Sequence, residues 1–251
     1  FIESEFRPSS SVYLYNTMNN EWSRLPSMKT ARRGHACIIY KNYVYVFGGA
    51  DDYTNALQTV EMLDLKKTSQ GWTDMSSMNH GRFYLTAERV EDKVYVFGGG
   101  SRDENNDHVV LDSIECYNLI NNKWDTNNIL PRMPSKLHGC GSARVGDKIY
   151  LIGGSDKLIN LDEFKAFSTM NVFDTQSLTW YEETERARSK LPKLSTGRWG
   201  CSALAADNFI IISGGANSDR KMLKTVEIYN TAEYEWLPFC KEMSPRVGHM
   251  S

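Results

Sequence analysis

The stretch Lys93-Val94-Tyr95-Val96-Phe97-Gly98-Gly99 alternates around large apolar side chains and ends on a glycine pair. Such alternation is the pattern of a β-strand, and glycine is favoured where the backbone must leave a sheet. Equivalent strands end on Gly48-Gly49, Gly153-Gly154 and Gly214-Gly215. The first glycines, at 48, 98, 153 and 214, are 50, 55 and 61 residues apart. A repeat of about 50 residues is typical of a propeller blade.

Each copy is followed by a second short strand and then by a tryptophan. The second strands share a large residue followed by Asp or Asn, and they lie at 60–64, 114–118, 170–174 and 226–230. Their tryptophans are Trp72, Trp124, Trp180 and Trp236. A partial copy precedes them, with a strand at 12–16 and Trp22. Five copies in one register indicate a repeat protein rather than a chance pattern.

This arrangement resembles the kelch repeat, and the resemblance covers nearly the whole chain. It implies an all-β kelch β-propeller of four-stranded antiparallel blades, with strands a to d running from the axis to the rim. Five blades are visible, and an intact ring of either five or six is compatible with the sequence. We expect one domain over 1–251, part of a longer protein, with the first blade's c and d strands at 12–25, four blades at about 33–75, 83–127, 138–183 and 199–238, and the start of a closing strand at 246–251.

Composition excludes several classes of function. The net charge of −2 gives no overall attraction to nucleic acid or to anionic lipid. The sequence has no apolar run long enough to span a membrane. Its five cysteines form no CxxC or zinc-ligand spacing, which favours a reducing, cytoplasmic compartment. The glycine pairs lack the Lys-Ser/Thr and the helix that a phosphate-binding loop needs.

The resemblance implies a non-catalytic protein-protein interaction module. The strand Val226-Glu227-Ile228-Tyr229-Asn230, followed by Trp236, is most similar to the propellers of BTB-kelch (kelch-like) proteins. These commonly act as substrate receptors of cullin-RING ubiquitin ligases through a BTB domain, which would lie outside this chain. An actin-binding or cytoskeleton-binding kelch protein is one alternative. A galactose-oxidase-like metalloenzyme is another, but it would need clustered metal ligands that the sequence does not display, so we predict no catalysis and no cofactor.

The long loops locate the expected binding face. Because strands in a blade alternate direction, the b-to-c and d-to-a connections emerge together on one face, here called the loop face. These connections are long and varied, whereas the a-to-b turns are short. Long loops on a rigid scaffold are typical of a binding surface. The sequence therefore predicts that a partner binds the loop face.

Arginines recur at the end of the d-to-a loops. This register holds Arg32, Arg82, Leu137, Arg198 and Arg246, and the formal charge of the loop face sums to +4. Because guanidinium groups bind carboxylates and phosphates through paired hydrogen bonds, the predicted partner is an acidic or phosphorylated peptide at the mouth of the central channel. The alternative is that these arginines hydrogen-bond loop carbonyls. On the first interpretation, replacing Arg82, Arg198 and Arg246 by Ala abolishes binding and leaves thermal stability nearly intact.

Other side chains on or beside these loops complete the predicted site. Aromatic and basic residues there supply contacts of the kind that dominate binding energy, and the candidates are Tyr53, His80, Tyr84, Arg102, Phe164 and Arg220. His35 and His249 share a register and suggest a metal pair. That register offers no third ligand, so we predict no metal site.

Overall fold

The computed structural model describes residues 7–51, 55–127, 130–158, 163–181, 191–237 and 243–247. Within these ranges the helices and strands consist of β-strands and a single 3₁₀ turn at Thr68–Gln70. The described residues include no helix long and apolar enough to cross a membrane. The prediction of an all-β propeller is confirmed by the sheets below.

Four sheets have four antiparallel strands each, in the sequence order of their strands. A two-stranded sheet precedes them and consists of β1 (Val12–Asn16) and β2 (Glu21–Leu25). Blade 2 consists of β3 (Ala36–Tyr40), β4 (Tyr43–Phe47), β5 (Val60–Asp64) and β6 (Trp72–Met75). Blade 3 consists of β7 (Thr86–Val90), β8 (Lys93–Phe97), β11 (Ile114–Asn118) and β12 (Lys123–Trp124), with a side hairpin of β9 (Gly100–Arg102) and β10 (His108–Val110). Blade 4 consists of β13 (Gly141–Val145), β14 (Lys148–Ile152), β15 (Met170–Asp174) and β16 (Thr179–Trp180), and blade 5 of β17 (Ser202–Ala206), β18 (Phe209–Ser213), β19 (Val226–Asn230) and β20 (Glu235–Trp236).

The first strands of successive four-stranded blades contact one another, so β3, β7, β13 and β17 are the innermost strands. In blades 3 to 5 the large aromatic residue of the second repeat strand packs at a tilt against the tryptophan that follows it, as in Tyr117 and Trp124, whose ring centroids are 5.0 Å apart. Phe47 of the preceding blade packs against both rings at 5.7 and 6.1 Å. The core therefore lies between blades, and the recurring aromatic residues fill these wedges.

The two-stranded sheet lacks this cover in the described part of the chain. Its own stacked pair, Tyr15 and Trp22, is 41% and 69% exposed, whereas Tyr117 and Tyr229 at the equivalent place are fully buried. Its opposite side packs into blade 2, where Val12 and Leu25 contact a cluster around Met28 and Leu63. Among the described residues, only one side of this two-stranded sheet, the half-blade, is therefore buried.

The glycine pairs lie where neighbouring blades crowd together. At Gly98 an added Cβ would lie 2.2 Å from the carbonyl oxygen of Leu137, and φ is +53°. A side chain here would collide with backbone and would also need the left-handed conformation that L residues rarely adopt. The interpretation of these glycines as scaffold residues is confirmed.

Candidate functional site

The short turns and the long loops emerge on opposite faces of the propeller, because neighbouring strands of a blade run in opposite directions. Two-residue turns join the first and second strands of blades 2 to 5 on one side, as at Lys41-Asn42, where Lys41 has a φ of +55°. The loop face lies on the other side and carries the b-to-c and d-to-a connections. The described residues that the sequence predicts to contact a partner lie on its loops or next to the inner strands.

Three of the predicted arginines are buried inside the blades. The side chains of Arg32, Arg82 and Arg198 are 0% exposed. Arg82 donates through Nη1 to the carbonyl oxygens of Gly98 (2.9 Å) and Ser113 (3.3 Å), and through Nη2 to the Ser113 hydroxyl (3.2 Å) and the Glu115 carboxylate. The placement of these three arginines around an open mouth was therefore wrong, because their side chains are buried and their terminal nitrogens bond to groups of the same blade.

The same set of contacts is repeated in two other blades. Arg32 bonds Gly48, Thr59 and Glu61, and Arg198 bonds Gly214, Thr225 and Glu227. In both cases the arginine nitrogen lies 2.5 Å from the glutamate oxygen. Each pair joins the end of a d-to-a loop to the third strand of the same blade.

The glutamates also accept hydrogen bonds from backbone N–H groups of the d-to-a loops. Glu115 accepts the backbone N–H groups of Asn79 (2.7 Å) and His80 (3.3 Å), and Glu61 accepts those of Lys29 and Thr30. A buried carboxylate needs such donors because the pairing alone does not replace its lost hydration. The ion pairs therefore fix the conformation of the d-to-a loops.

The other two members of the arginine register behave differently. Leu137 is buried in the apolar cluster between blades 3 and 4, and Asn171 stands at the place of the glutamate in that blade. Arg246 is exposed, and its carbonyl oxygen accepts the N–H of Gly215 (2.9 Å), just as the carbonyl of Arg82 accepts that of Gly49 (2.8 Å). Of this register, Arg246 alone presents an exposed guanidinium among the residues described.

Burial of the arginines changes the electrostatics of the loop face. Three of the positive charges in its sum of +4 are neutralised by Glu61, Glu115 and Glu227. The remaining formal charge is about +1, which is too small to select an acidic partner by overall attraction. The overall charge of the loop face therefore does not support the prediction of an acidic partner.

The loop-side ends of the inner strands are joined by a chain of backbone hydrogen bonds. Tyr84 N–H donates to the carbonyl of Gly34 (2.7 Å), Gly139 to that of Tyr84 (2.8 Å), and Gly200 to that of Gly139 (2.7 Å). We call these four residues the channel mouth. All four have positive φ, and Tyr84 has a side chain where the other three are glycine, with a φ of +49°. A tyrosine in this conformation costs on the order of 1 kcal/mol or more.

The ring of Tyr84 lies in an aromatic group at the channel mouth. Its centroid is 5.0 Å from that of Trp199 and 6.4 Å from His138. Phe164 is buried 6.3 Å from Trp199, so its contribution is to support that ring. Trp199 was not among the residues predicted from the sequence. It directly precedes Gly200 of the channel mouth, just as Phe83 directly precedes Tyr84.

The remaining candidates are spread over the loop face. The His80 side chain is 65% exposed, with its Nδ1 3.8 Å from Glu115. Arg102 is half-buried, and its guanidinium donates to the carbonyl of Asn106, whereas Arg220 is exposed on a blade 5 loop. Tyr53 lies outside the described residues.

The histidine register does not assemble a metal site in the described ranges, where no three His, Cys, Asp or Glu side chains come together. Burial, with a smaller contribution from Arg32, lowers the pKa of His35 to about 4. His249 lies outside the described residues.

Known proteins share this arrangement of repeats. A family model described as the KLHDC2/KLHL20/DRC7 Kelch-repeats domain matches residues 3–215. Kelch-like protein 25 of Xenopus tropicalis is 26% identical over 241 residues, covering 93% of this chain and 37% of that protein. Alpha-scruin of Limulus polyphemus is 24% identical over 217 residues, covering 85% and 22%. An F-box/kelch-repeat protein of Arabidopsis thaliana is 29% identical over 180 residues, covering 71% and 42%.

The chain spans less than half the length of each of these relatives. The matched family model covers the half-blade and most of the four complete blades, including every buried arginine pair except the glutamate of the last one. With the repeats, the sheets and the family model in agreement, this chain belongs to the kelch-repeat domain family.

Proposed function

We propose that this chain is a non-catalytic interaction domain that binds a polypeptide partner on the loop face, centred on Tyr84, which packs against the buried Trp199. The observation that carries the proposal is the conformation of Tyr84. Its φ is +49°. The equivalent residues of the other blades are Gly34, Gly139 and Gly200, which adopt a positive φ without strain because they have no side chain. Strain of this kind is retained where a side chain is needed at that place, and clusters at ligand sites.

The chemistry of the channel mouth suits a protein partner. Aromatic rings combine large contact area with few rotatable bonds, and for that reason they dominate binding energy at protein interfaces. The chain of backbone hydrogen bonds beneath Tyr84 holds the ring in place, which lowers the entropy lost on binding. His80, Arg220 and Arg246 surround this centre as exposed polar contacts.

We further propose that the natural protein is a substrate receptor of a cullin-RING ubiquitin ligase in the cytoplasm. The strand pattern at 226–230 supports this, as do the kelch-like and F-box/kelch relatives. Free Cys37, Cys116, Cys140 and Cys201 are compatible with a reducing compartment. Co-purification of a cullin with the natural full-length protein tests this step. Failure to recover one under conditions that retain cullins on a known receptor would contradict it.

The binding face is tested by two glycine substitutions that are matched in backbone conformation. Tyr84→Gly gives the channel mouth the residue found in three other blades, whereas Lys41→Gly makes the same change at φ +55° on the opposite face. The probe is a random peptide library displayed on phage and selected on the immobilised chain, with affinities of enriched peptides measured by calorimetry. We expect Tyr84→Gly to weaken binding by about tenfold or more and Lys41→Gly to leave it unchanged. The reverse result would place the site on the other face.

A further inference from the structure

The loop face carries an acidic projection on blade 3. The hairpin of β9 and β10 has no counterpart in the other described blades, and residues 100–111 have a formal charge of −2. Its tip exposes Asp103, Glu104 and Asp107. The guanidinium of Arg102 is used within the tip, where it donates to Asn106 and lies 3.0 Å from a His108 ring nitrogen. The tip therefore presents carboxylates to solvent.

Blade 5 carries a basic loop at the equivalent place. Residues 216–224 have a formal charge of +2 and expose Arg220, Lys221 and Lys224. The loop is anchored by hydrogen bonds between Asn217 and Lys221, which leave the lysine side chain outside. The loop face thus carries two exposed patches of opposite formal charge.

Both patches are attached to the aromatic centre of the channel mouth. Gly100, the first residue of the acidic hairpin, pairs with Phe83, which precedes Tyr84. Ala216, the first residue of the basic loop, pairs with Trp199. The two patches therefore begin beside these two rings, whose centroids are 5.0 Å apart.

The indole of Trp199 supports the Tyr84 ring from inside the protein. Trp199 is 4% exposed, and a Cβ added to Gly139 would lie 2.3 Å from its indole nitrogen, so the indole packs against the backbone of the channel mouth. Its role is therefore to hold the Tyr84 ring, whose centroid is 5.0 Å away.

We propose that the loop face binds a polypeptide segment of mixed charge. Its basic end lies over the β9–β10 hairpin and its acidic end lies over residues 216–224, with Tyr84 between them. This inference rests on the proposed function and names the chemistry and orientation of the partner. Charge complementarity of this kind fixes orientation and rejects uniformly charged competitors.

Charge reversal on each side tests the orientation. One variant combines Glu104→Lys with Asp107→Lys, sparing Asp103 because its carboxylate accepts two backbone amides of the tip. The other combines Lys221→Glu with Lys224→Glu, both at exposed side chains. The probe is the random phage-displayed peptide library selected on the unaltered chain. Enriched peptides are expected to carry basic residues towards one end and acidic residues towards the other.

Each double variant is expected to weaken these peptides by about tenfold, with less effect at high salt. A chain with all four changes is expected to prefer a peptide whose basic and acidic residues are exchanged. Peptides of a single charge, or peptides insensitive to both reversals, would overturn the inference. If such peptides still require Tyr84, the loop face stands as the binding site and only the mixed-charge partner is rejected; if Tyr84→Gly has no effect either, the proposed function fails as well.

Discussion

Replacing Arg82 by leucine removes one half of a buried ion pair and copies the residue that blade 4 has at this register, Leu137. Glu115 is 7% exposed and would keep only the N–H donors of Asn79 and His80. Leaving a buried charge without its partner costs about 3–5 kcal/mol. The carbonyl of Gly98 would also lose a 2.9 Å donor, which adds about 1 kcal/mol.

The expected loss in the free energy of unfolding is therefore about 4 kcal/mol, or about 10 °C in Tm for a chain of this size. Urea unfolding followed by tryptophan fluorescence measures it, with the slope on denaturant checked for a common unfolding mechanism. The control is Arg132→Leu, which breaks the ion pair to Asp112 at a side chain that is 76% exposed. Exposed pairs contribute about 0–1 kcal/mol, so this variant should remain close to the parent.

A double variant separates the charge from the packing. Arg82→Leu combined with Glu115→Asn reproduces the pair Leu137 and Asn171 of blade 4, and it should recover about 2 kcal/mol because no buried charge is left alone. Amide exchange should accelerate at His80 in this double variant, since its N–H loses the Glu115 acceptor. An Arg82→Leu protein no less stable than Arg132→Leu would refute the structural role assigned to the buried pair.

Glycine substitution, pH and thiol reactivity test the packing elsewhere. Gly98→Val should prevent folding, whereas Gly146→Val, at φ +60° with no atom near the new Cβ, should give soluble protein; a soluble, native-like Gly98→Val protein would contradict this. Burial lowers the pKa of His138 from 6.5 to about 4. As pH falls from 6.5 to about 4, only the unfolded state therefore gains a proton. The free energy of unfolding should drop by up to about 3 kcal/mol over this range. His138→Asn should flatten this slope, and an unchanged slope would count against it. Burial raises the pKa of the Cys140 thiol to about 12, so iodoacetamide should modify it only after unfolding, and alkylation of folded protein would disprove this.

The fold was predictable because its determinants are local and repeated. Strand alternation, the glycine pair and the tryptophan recur in one register, and a blade has room for only one arrangement of these residues. The strands at 43–47 and 93–97 lie where the alternation places them. The number of blades in the intact ring stays a prediction.

The role of the arginines was not predicted, because loop composition does not reveal burial. A signal was nevertheless present in the sequence. Glu61, Glu115 and Glu227 follow their arginines by 29, 33 and 29 residues. Blade 4 lacks both members of the pair, with Leu137 and Asn171 in their places. In each of these blades the arginine and the glutamate are either both present or both absent. This is expected of a buried ion pair, because either charge alone would be costly.

The buried pairs explain how a rigid scaffold can carry a specific surface. Each glutamate binds an arginine and also accepts backbone N–H groups of a d-to-a loop, so the ion pair inside a blade also sets the conformation of that loop. His80 is held by its backbone while its side chain remains exposed. Binding energy at the loop face is then not spent on ordering these loops. The arginines that the sequence placed in contact with a partner instead position the loops, and the proposed recognition is assigned to Tyr84 and the two charged patches.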